Sequence, residues 1–300
     1  MTEIKHLAIV VFVALASSAL VAQQPPPPQS QQAPTEWQRK YELGLKHRTA
    51  SELYKALKQA AGSRQPSLPD WSGEWTSAGF GSWFRPGPGG VAPKLTPAAA
   101  AKLKETTDLS AKGIAYDENL SACGPAGFPR WLTEPFLREF VVTPKRTWLI
   151  NEMMNETRRI YTDGRDHAPE ADRYPLVDGD SIGFWDGQKL VIHTNQLMAR
   201  SMGRNAPDQS DRMETVEIWE NVDARTIAVD VWLYDSAVYL EPWYVQRRYA
   251  IVSNADRNLR IRYWDCSENP NNEVVKTKDG STDFKKLTFT DKDKAKESGR

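Results

Sequence analysis

The sequence contains little cysteine and little histidine, and it carries no excess of charge of either sign. Its 300 residues include two cysteines and four histidines, and 39 basic residues balance 39 acidic ones. Nucleic-acid binding requires a concentrated positive surface, so this balance predicts no nucleic-acid partner. Since so few thiols and imidazoles are present, we also expect no metal and no cofactor.

The common motifs of enzymes and cofactor-binding proteins are absent as well. The sequence has no phosphate-binding Gly-x-x-x-x-Gly-Lys loop, no Gly-x-Ser-x-Gly elbow and no dinucleotide fingerprint. It also lacks Cys-x-x-Cys and His-Glu-x-x-His, two motifs of redox and zinc sites. The sequence therefore predicts compartment and architecture better than it predicts a reaction.

Only the N-terminus has a long apolar run. Lys5 and His6 precede about 15 mostly apolar residues, fewer than the ~20 that span a bilayer as a helix. A charged start, an apolar middle and a small-residue end indicate a secretory signal at residues 1–22, cleaved after Ala22. An uncleaved anchor is the alternative. We expect export to the periplasm or the extracellular space, and no stable membrane span after cleavage.

Composition divides the remaining chain. Residues 23–35 are rich in proline and glutamine, which predicts an extended linker. Residues 36–66 place apolar side chains at helical spacing, which predicts a helical arm that either packs on the domain or acts as a spacer. Residues 276–300 alternate in charge and predict a polar, partly disordered tail. The main domain is left at residues 67–275.

Most of this main domain carries β signals. "SIGFWDGQKLVIHT" places two β-rich runs around Asp186-Gly187, a pair suited to a two-residue hairpin turn. We predict similar hairpins in "METVEIWENVDARTIAVDVWLYD" and in "WYVQRRYAIVSNADRNLRIRYWDC". Sequential hairpins without intervening helices predict a mainly β domain built as an antiparallel meander.

Both faces of the predicted strands carry large residues, which favours a closed sheet. Two polar and aromatic triplets alternate with aliphatic residues: Thr215, Glu217 and Trp219, and Asp230, Trp232 and Tyr234. A barrel explains this pattern, because one face packs under other elements while the other surrounds a lumen. We therefore predict a calycin-like barrel whose lumen receives both triplets. A two-sheet sandwich is the alternative.

The two cysteines, Cys123 and Cys266, are predicted to form a disulfide. An isolated pair in an exported protein more often forms a disulfide than a metal site. The bond would close a loop of roughly 140 residues and stabilise the fold by up to ~4–5 kcal/mol in the chain-entropy model. Two free buried thiols are the alternative.

Several motifs occur together in a recognisable order. They are "SGEW", "CGPAGFPR", "RRIYTDGRDH", "SIGFWDGQKLVIHT", "SDRMETVEIWE", "YLEPWYV" and "DCSEN". In this order they resemble a large uncharacterised group of exported bacterial hypothetical proteins, over roughly residues 68–275. The resemblance implies a calycin-like or lipocalin-like barrel and no established reaction. The chain departs from the group's pattern where Ala168 separates His167 from Pro169, and where Gln209 replaces a histidine.

The stretch "RRIYTDGRDH", residues 158–167, combines three arginines, two aspartates, a tyrosine and a histidine. Strand alternation sends Arg158 to one face of the sheet, and Arg159 and Tyr161 to the other. One interpretation is a charged hairpin with ion pairs at its rim. The other is a ligand-binding wall, where an arginine holds a carboxylate or phosphate and His167 moves a proton.

These patterns supply the candidate site residues. For ligand binding they are Arg158, Arg159, Trp185, Trp219, Trp232 and Arg247. As catalytic groups of a cofactor-free acid/base enzyme (a lyase, isomerase or hydrolase) they are Glu217, His167, Tyr161 and Asp211. The first hypothesis is an exported barrel that binds a small hydrophobic or aromatic molecule, and the second is the enzyme. A cell-envelope structural protein is the third.

Overall fold

The computed structural model describes residues 34–78, 92–112, 123–203, 206–252 and 259–266, with the short stretches 274–276, 278 and 282–284. The predicted signal and nearly all of the predicted linker lie outside these residues, as does most of the predicted tail. No helix in the described part of the chain is both long enough and apolar enough to cross a bilayer.

Nine strands close into a barrel, which confirms the prediction of a mainly β, calycin-like fold. They are β1 (Trp75–Ser77), β2 (Arg138–Val142), β3 (Arg146–Asn151), β4 (Thr157–Tyr161), β5 (Asp180–Asp186), β6 (Lys189–Asn195), β7 (Glu214–Asp223), β8 (Thr226–Tyr234) and β9 (Trp243–Ile251). Each strand pairs with the next one in the chain, and β9 closes the barrel on β1. Two of the three predicted hairpins, β5–β6 and β7–β8, are present.

One neighbouring pair differs from the predicted antiparallel meander. β4 and β5 are parallel, with Ile160 opposite Ser181 and Tyr161 opposite Ile182, whereas the other barrel pairs are antiparallel. Parallel neighbours require a connection that returns along the sheet. Residues 162–179, which we name the β4–β5 connection, provide this return.

The second arm of the predicted third hairpin is wrong. Residues 259–266 form no strand, because β9 already pairs with β8 on one side and β1 on the other. They cross the β3–β4 turn instead, where the Trp264 backbone N–H donates to Asn155 Oδ1 (2.9 Å) and Asn155 Nδ2 donates to the Trp264 carbonyl (3.1 Å). The predicted disulfide between Cys123 and Cys266 is present and ties this segment to the chain before β2.

Part of the predicted polar tail is also paired. β10 (Val274–Lys276) and β11 (Thr282–Phe284) form an antiparallel two-stranded sheet separate from the barrel. Residues 282–284 therefore have regular structure where the sequence predicts a partly disordered tail.

Two N-terminal helices cover one side of the barrel. α1 spans Glu36–Leu45 and α2 spans Ala50–Ala61, and their N-termini are capped by Thr35 and Thr49. α2 packs on β5 to β8 and α1 packs on β9, so the predicted helical arm is docked and not a spacer. The third helix, α3 (Pro97–Ala111), begins with proline, a residue favoured at the first position of a helix.

The barrel wall has an apolar core on each face. Val231 belongs to the core inside the barrel, while Trp232 belongs to the core beneath α1 and α2. Strand register explains the division, since Glu217 lies opposite Val231 and Val216 lies opposite Trp232, and opposed residues share a face. The expectation that Trp232 lines the lumen with Glu217 is therefore wrong. A two-residue period shows that side chains alternate between the two faces of the sheet, but it does not show which face points inward.

Gly44 allows α1 to lie directly on this outer core. A Cβ atom at this position would be 2.5 Å from Cδ1 of Trp232. With only hydrogen there, Trp232 Nε1 donates to the Lys40 carbonyl (2.9 Å) and the Tyr234 hydroxyl donates to the Gly44 carbonyl (3.2 Å). The helix is thus positioned by hydrogen bonds as well as by packing.

Candidate functional site

A buried ion pair crosses the lumen between β4 and β7. Arg158 Nη2 donates to Glu217 Oε1 (2.8 Å), Arg158 Nη1 donates to Oε2 (3.2 Å), and both side chains are 0% exposed. Trp219 Nε1 also donates to Glu217 Oε2 (2.9 Å), and the Arg158 guanidinium lies 3.5 Å from the centre of the Phe128 ring. The structure therefore brings Glu217 and Arg158 together, but it surrounds them with protein.

Aromatic side chains fill the lumen around this pair. Trp219 stacks on Tyr249 with ring centroids 5.5 Å apart and meets Phe140 edge-on at the same distance. The ring centroids of Trp71 and Trp131 lie 6.0 and 6.4 Å from that of Trp219. The side chains nearly inaccessible to solvent are Trp71, Trp131, Trp219 and Tyr249. These spacings are those of close-packed rings, so side chains occupy the volume that the sequence predicts for a ligand.

Two more of the residues predicted to bind a ligand face the lumen, and one does not. Trp185 belongs to the lumen core, 5.9 Å from Trp71, and Arg247 faces the lumen opposite Val229. Burial lowers the pKa of Arg247 below its usual value. Arg159 is exposed on the outside of β4.

The predicted catalytic residues are also dispersed. Asp211 is exposed in the turn before β7. Tyr161 lies outside the barrel, with the guanidinium groups of Arg146 and Arg165 at 4.9 and 4.1 Å from its ring centre. Gln209, which replaces the expected histidine, is buried and donates to the carbonyls of Phe128 (3.1 Å) and Met198 (2.8 Å). Its role in the fold is therefore structural.

His167 belongs to a hydrogen-bonded chain on the outer face, which we name the histidine relay: Asp180, His167, His193 and Glu214. His167 Nδ1 is 2.7 Å from Asp180 Oδ2, His167 Nε2 is 2.8 Å from His193 Nδ1, and His193 Nε2 is 3.1 Å from Glu214 Oε2. The two imidazoles are 9% and 5% exposed, whereas the carboxylates at the ends are 22% and 36% exposed. The ends of the relay thus face solvent and its centre does not.

The ionisation of the relay groups depends on burial and on the hydrogen bonds between them. Burial lowers the pKa of His193. The hydrogen bond from His167 in turn lowers the pKa of Asp180. Burial acts to raise the pKa of Glu214, but the hydrogen bond from His193 and the neighbouring basic groups together lower it.

Sequence reasoning missed the relay partners of His167. Asp180, His193 and Glu214 come from three strands, and neither their spacing nor any motif links them. The one available signal was alternation in "LVIHT", which places His193 on the face opposite Ile192 and Thr194. That signal becomes informative only after the helices show which face is outside.

Two acidic side chains, Glu156 and Asp178, have raised pKa values. Glu156 Oε1 accepts from the Gly127 backbone N–H (2.6 Å). Burial, followed by the charge of Asp178, raises the pKa of Glu156 to about 9, and burial also raises the pKa of Asp178. Burial therefore opposes ionisation of both carboxyl groups.

An aromatic groove lies between α1 and the start of β9. It encloses about 230 Å³, including its open mouth, and its wall contains Trp37, Tyr41, Trp243 and Tyr244. Trp37 stacks on Tyr41 with centroids 5.1 Å apart and lies 5.8 Å from Tyr244. At one end Glu241 accepts from the Tyr41 hydroxyl and from Lys94 Nζ (2.8 Å). The groove thus combines flat apolar walls with one carboxylate and one ammonium group.

Within the described part of the chain, no group of three or more histidine, cysteine, aspartate or glutamate side chains is arranged to hold a metal ion. Comparison of the chain with protein-family models, with curated proteins and with solved structures finds no match. The functional argument therefore depends on the geometry of the sites described above.

Proposed function

We propose that this protein is an exported small-molecule-binding β-barrel that holds a small aromatic or hydrophobic ligand in the aromatic groove. The observation that carries this proposal is the groove itself, a concave apolar wall with a few convergent polar groups, which is the usual form of a ligand site. The signal-like N-terminus, the disulfide and the resemblance to exported bacterial proteins support export.

The groove is a better site than the lumen because its aromatic faces are accessible. Opening the lumen would separate stacked rings such as Trp219 and Tyr249 and would expose the Arg158–Glu217 pair. A ligand in the groove would cover Trp37 and Tyr41, which are only partly buried in the structure.

The polar end of the groove defines the ligand's chemistry. Glu241 accepts hydrogen bonds, so it suits a hydroxyl or amine on an aromatic ring. Lys94 is mostly exposed and offers a donor to an oxygen. We therefore expect a flat ring with one small polar substituent, lying against the accessible surface of Trp37 and Tyr41 with the substituent toward Glu241.

Calorimetric titration of the full chain with indole and with 2-naphthol tests the proposal. We expect Trp37→Leu to weaken binding about fivefold, because a lost ring contact costs about 1 kcal/mol. Trp148→Leu is the matched control, since Trp148 lies on β3, which α1 and α2 do not cover. Equal binding by the wild type and the Trp37 variant, or absence of binding to both probes, would contradict the groove as the site. Native mass spectrometry of protein from its host would then identify the natural ligand.

The histidine relay favours a second candidate function, the cofactor-free acid/base enzyme. Each ring nitrogen of the relay already has a partner, so the groups able to meet a substrate are the exposed carboxylates of Asp180 and Glu214. For this function, hydrolysis of an activated ester by the wild type must disappear in Glu214→Gln while indole binding is unchanged. Unchanged hydrolysis in that variant would exclude Glu214 as the base.

A further inference from the structure

We propose that the outer face of β3 and β4 binds an acidic polysaccharide, a chain of sugars that carry carboxylates. The groups that would bind it are Arg146 of β3 and Arg159 of β4, which we name the arginine pair. The proposal does not depend on the aromatic groove, which lies between α1 and the start of β9.

Strand register brings the arginine pair together on the outside of the barrel. Arg146 lies opposite Tyr161, and Arg159 lies opposite Trp148. These four side chains alternate along their strands with buried ones, so all four are on the outer face. The two arginines are therefore diagonal neighbours, and such neighbours are about 7–8 Å apart.

Two rings hold the Arg146 guanidinium in place. It lies 5.5 Å from the centre of the Trp148 ring and 4.9 Å from that of the Tyr161 ring. Its Nε atom is buried and has no hydrogen-bond acceptor among the residues that the structure describes. Ring contacts thus position this side chain and leave its terminal N–H groups to bind a ligand.

The positive charge of the arginine pair is not balanced by an ion pair. Arg165, which also lies against Tyr161, is paired with Asp163 (2.6 Å). In the described ranges of the chain, by contrast, neither Arg146 nor Arg159 has a carboxylate within ion-pair distance, and Arg159 is exposed. Two guanidinium forks, whose geometry matches a carboxylate, are therefore available on one face.

The shape of this surface favours a polymer over a small molecule. Small ligands bind in concave pockets, whereas the arginine pair lies on the convex outer wall of a closed barrel. A polymer compensates for the lack of enclosure, because binding of one carboxylate raises the effective concentration of the next. The two strands are only about 5 Å apart, so they offer a narrow stripe and not the roughly 800 Å² that a protein partner covers.

Other polyanions and anionic surfaces fit this stripe less well. Single-stranded nucleic acids stack their bases on free aromatic faces, but the Tyr161 ring already has two guanidinium groups against it. A bilayer takes up exposed apolar side chains, and the large apolar side chain exposed on β2 to β4 is that of Val141. Acidic polypeptides are flexible, so they lose more conformational freedom on binding than a stiff chain of sugar rings does.

Calorimetric titration of the full chain with polygalacturonate at low ionic strength tests the proposal. We expect the wild type to bind this polymer, and to bind its methyl ester at least about tenfold more weakly, because the ester keeps the sugar chain without the charges. Arg146→Gln together with Arg159→Gln should weaken binding of the acidic polymer at least about tenfold, because both forks are lost. Arg159→Gln alone changes an exposed side chain and should weaken binding at least about threefold.

The matched control combines Lys46→Gln with Arg48→Gln. It removes the same two charges from exposed positions between α1 and α2, and these helices pack on β5 to β9 and not on β3 or β4. Its affinity for polygalacturonate should differ from that of the wild type by less than about twofold, because distant exposed charges are screened. Indole binding in the groove should be equal in all of these variants, so failure of the groove and failure of this site are distinguishable.

Four results would overturn the proposal. They are absence of binding of polygalacturonate to the wild type, equal binding of the polymer and its methyl ester, undiminished binding in the variants of the arginine pair, and an equal loss in the control. Tighter binding of polyglutamate, polyadenylate or anionic phosphatidylglycerol vesicles than of polygalacturonate, at equal concentration of charge, would overturn the choice of a sugar chain.

Discussion

Replacing Glu217 with glutamine should destabilise the barrel severely, because it leaves the Arg158 charge uncompensated in the lumen. Both side chains of the pair are 0% exposed, so water cannot take the place of the lost carboxylate. The remaining polar contacts of Arg158, to Ser181 Oγ (3.5 Å) and Thr194 Oγ1 (3.4 Å), are long and neutral. Breaking a buried pair by removing one partner costs about 3–5 kcal/mol.

The Glu217→Gln substitution removes the charge of the side chain but keeps its shape. It keeps the volume of the side chain, and its carbonyl oxygen can still accept from Trp219 Nε1, which donates to Glu217 in the wild type. The loss of about 3–5 kcal/mol is therefore expected from the unpaired guanidinium alone. Adding Arg158→Met removes that charge, so the double variant should recover to within about 1 kcal/mol of the wild type.

Urea unfolding followed by far-UV circular dichroism, with the disulfide intact, measures both variants. A loss below about 1 kcal/mol in Glu217→Gln would show that the pair is hydrated and would refute the buried-charge argument. A double variant as unstable as the single one would refute it in another way, by showing that packing and not charge is responsible. In the folded single variant, binding of indole should be unchanged, since Glu217 is not part of the aromatic groove.

Two further changes test the packing of the helices and the role of the disulfide. Gly44→Ala should destabilise the protein by about 1–3 kcal/mol in the same unfolding assay, because its Cβ would overlap Trp232; a neutral result would show that α1 can shift on the barrel. Cys123→Ser with Cys266→Ser should lower stability by up to ~4–5 kcal/mol, since the bond closes a loop of 143 residues. Limited proteolysis of that double variant should cut first within residues 259–266, and protection there equal to the wild type would contradict the role given to the bond.

The sequence predicts the local parts of this fold well. Asp186-Gly187 forms the expected turn between β5 and β6, and the alternation in β7 and β8 continues through a long antiparallel pair. Both signals depend on residues that are close together in the chain. The disulfide was also predictable, because the chain's two cysteines allow only one pairing.

The sequence predicts the position of a site residue only where alternation along a single strand is enough to determine it. Alternation correctly separates Arg158, which is buried, from Arg159, which is exposed. It cannot show that Arg158 meets Glu217 in a lumen closed by rings, or that His167 meets His193 outside. Those contacts depend on the parallel pairing of β4 with β5 and on the helices, and both are long-range features that no local pattern specifies.

The pairings also divide the barrel wall into a larger and a smaller part. Only two residue pairs join β4 to β5, and one pair, Trp75 with Arg138, joins β1 to β2. The panel formed by β2, β3 and β4 is thus attached to the other six strands by few backbone hydrogen bonds along either edge. Side chains bridge these two seams, and the Arg158–Glu217 pair connects the panel to β7 on the far side. The ion pair is therefore one of the side-chain contacts that join this panel to the rest of the barrel.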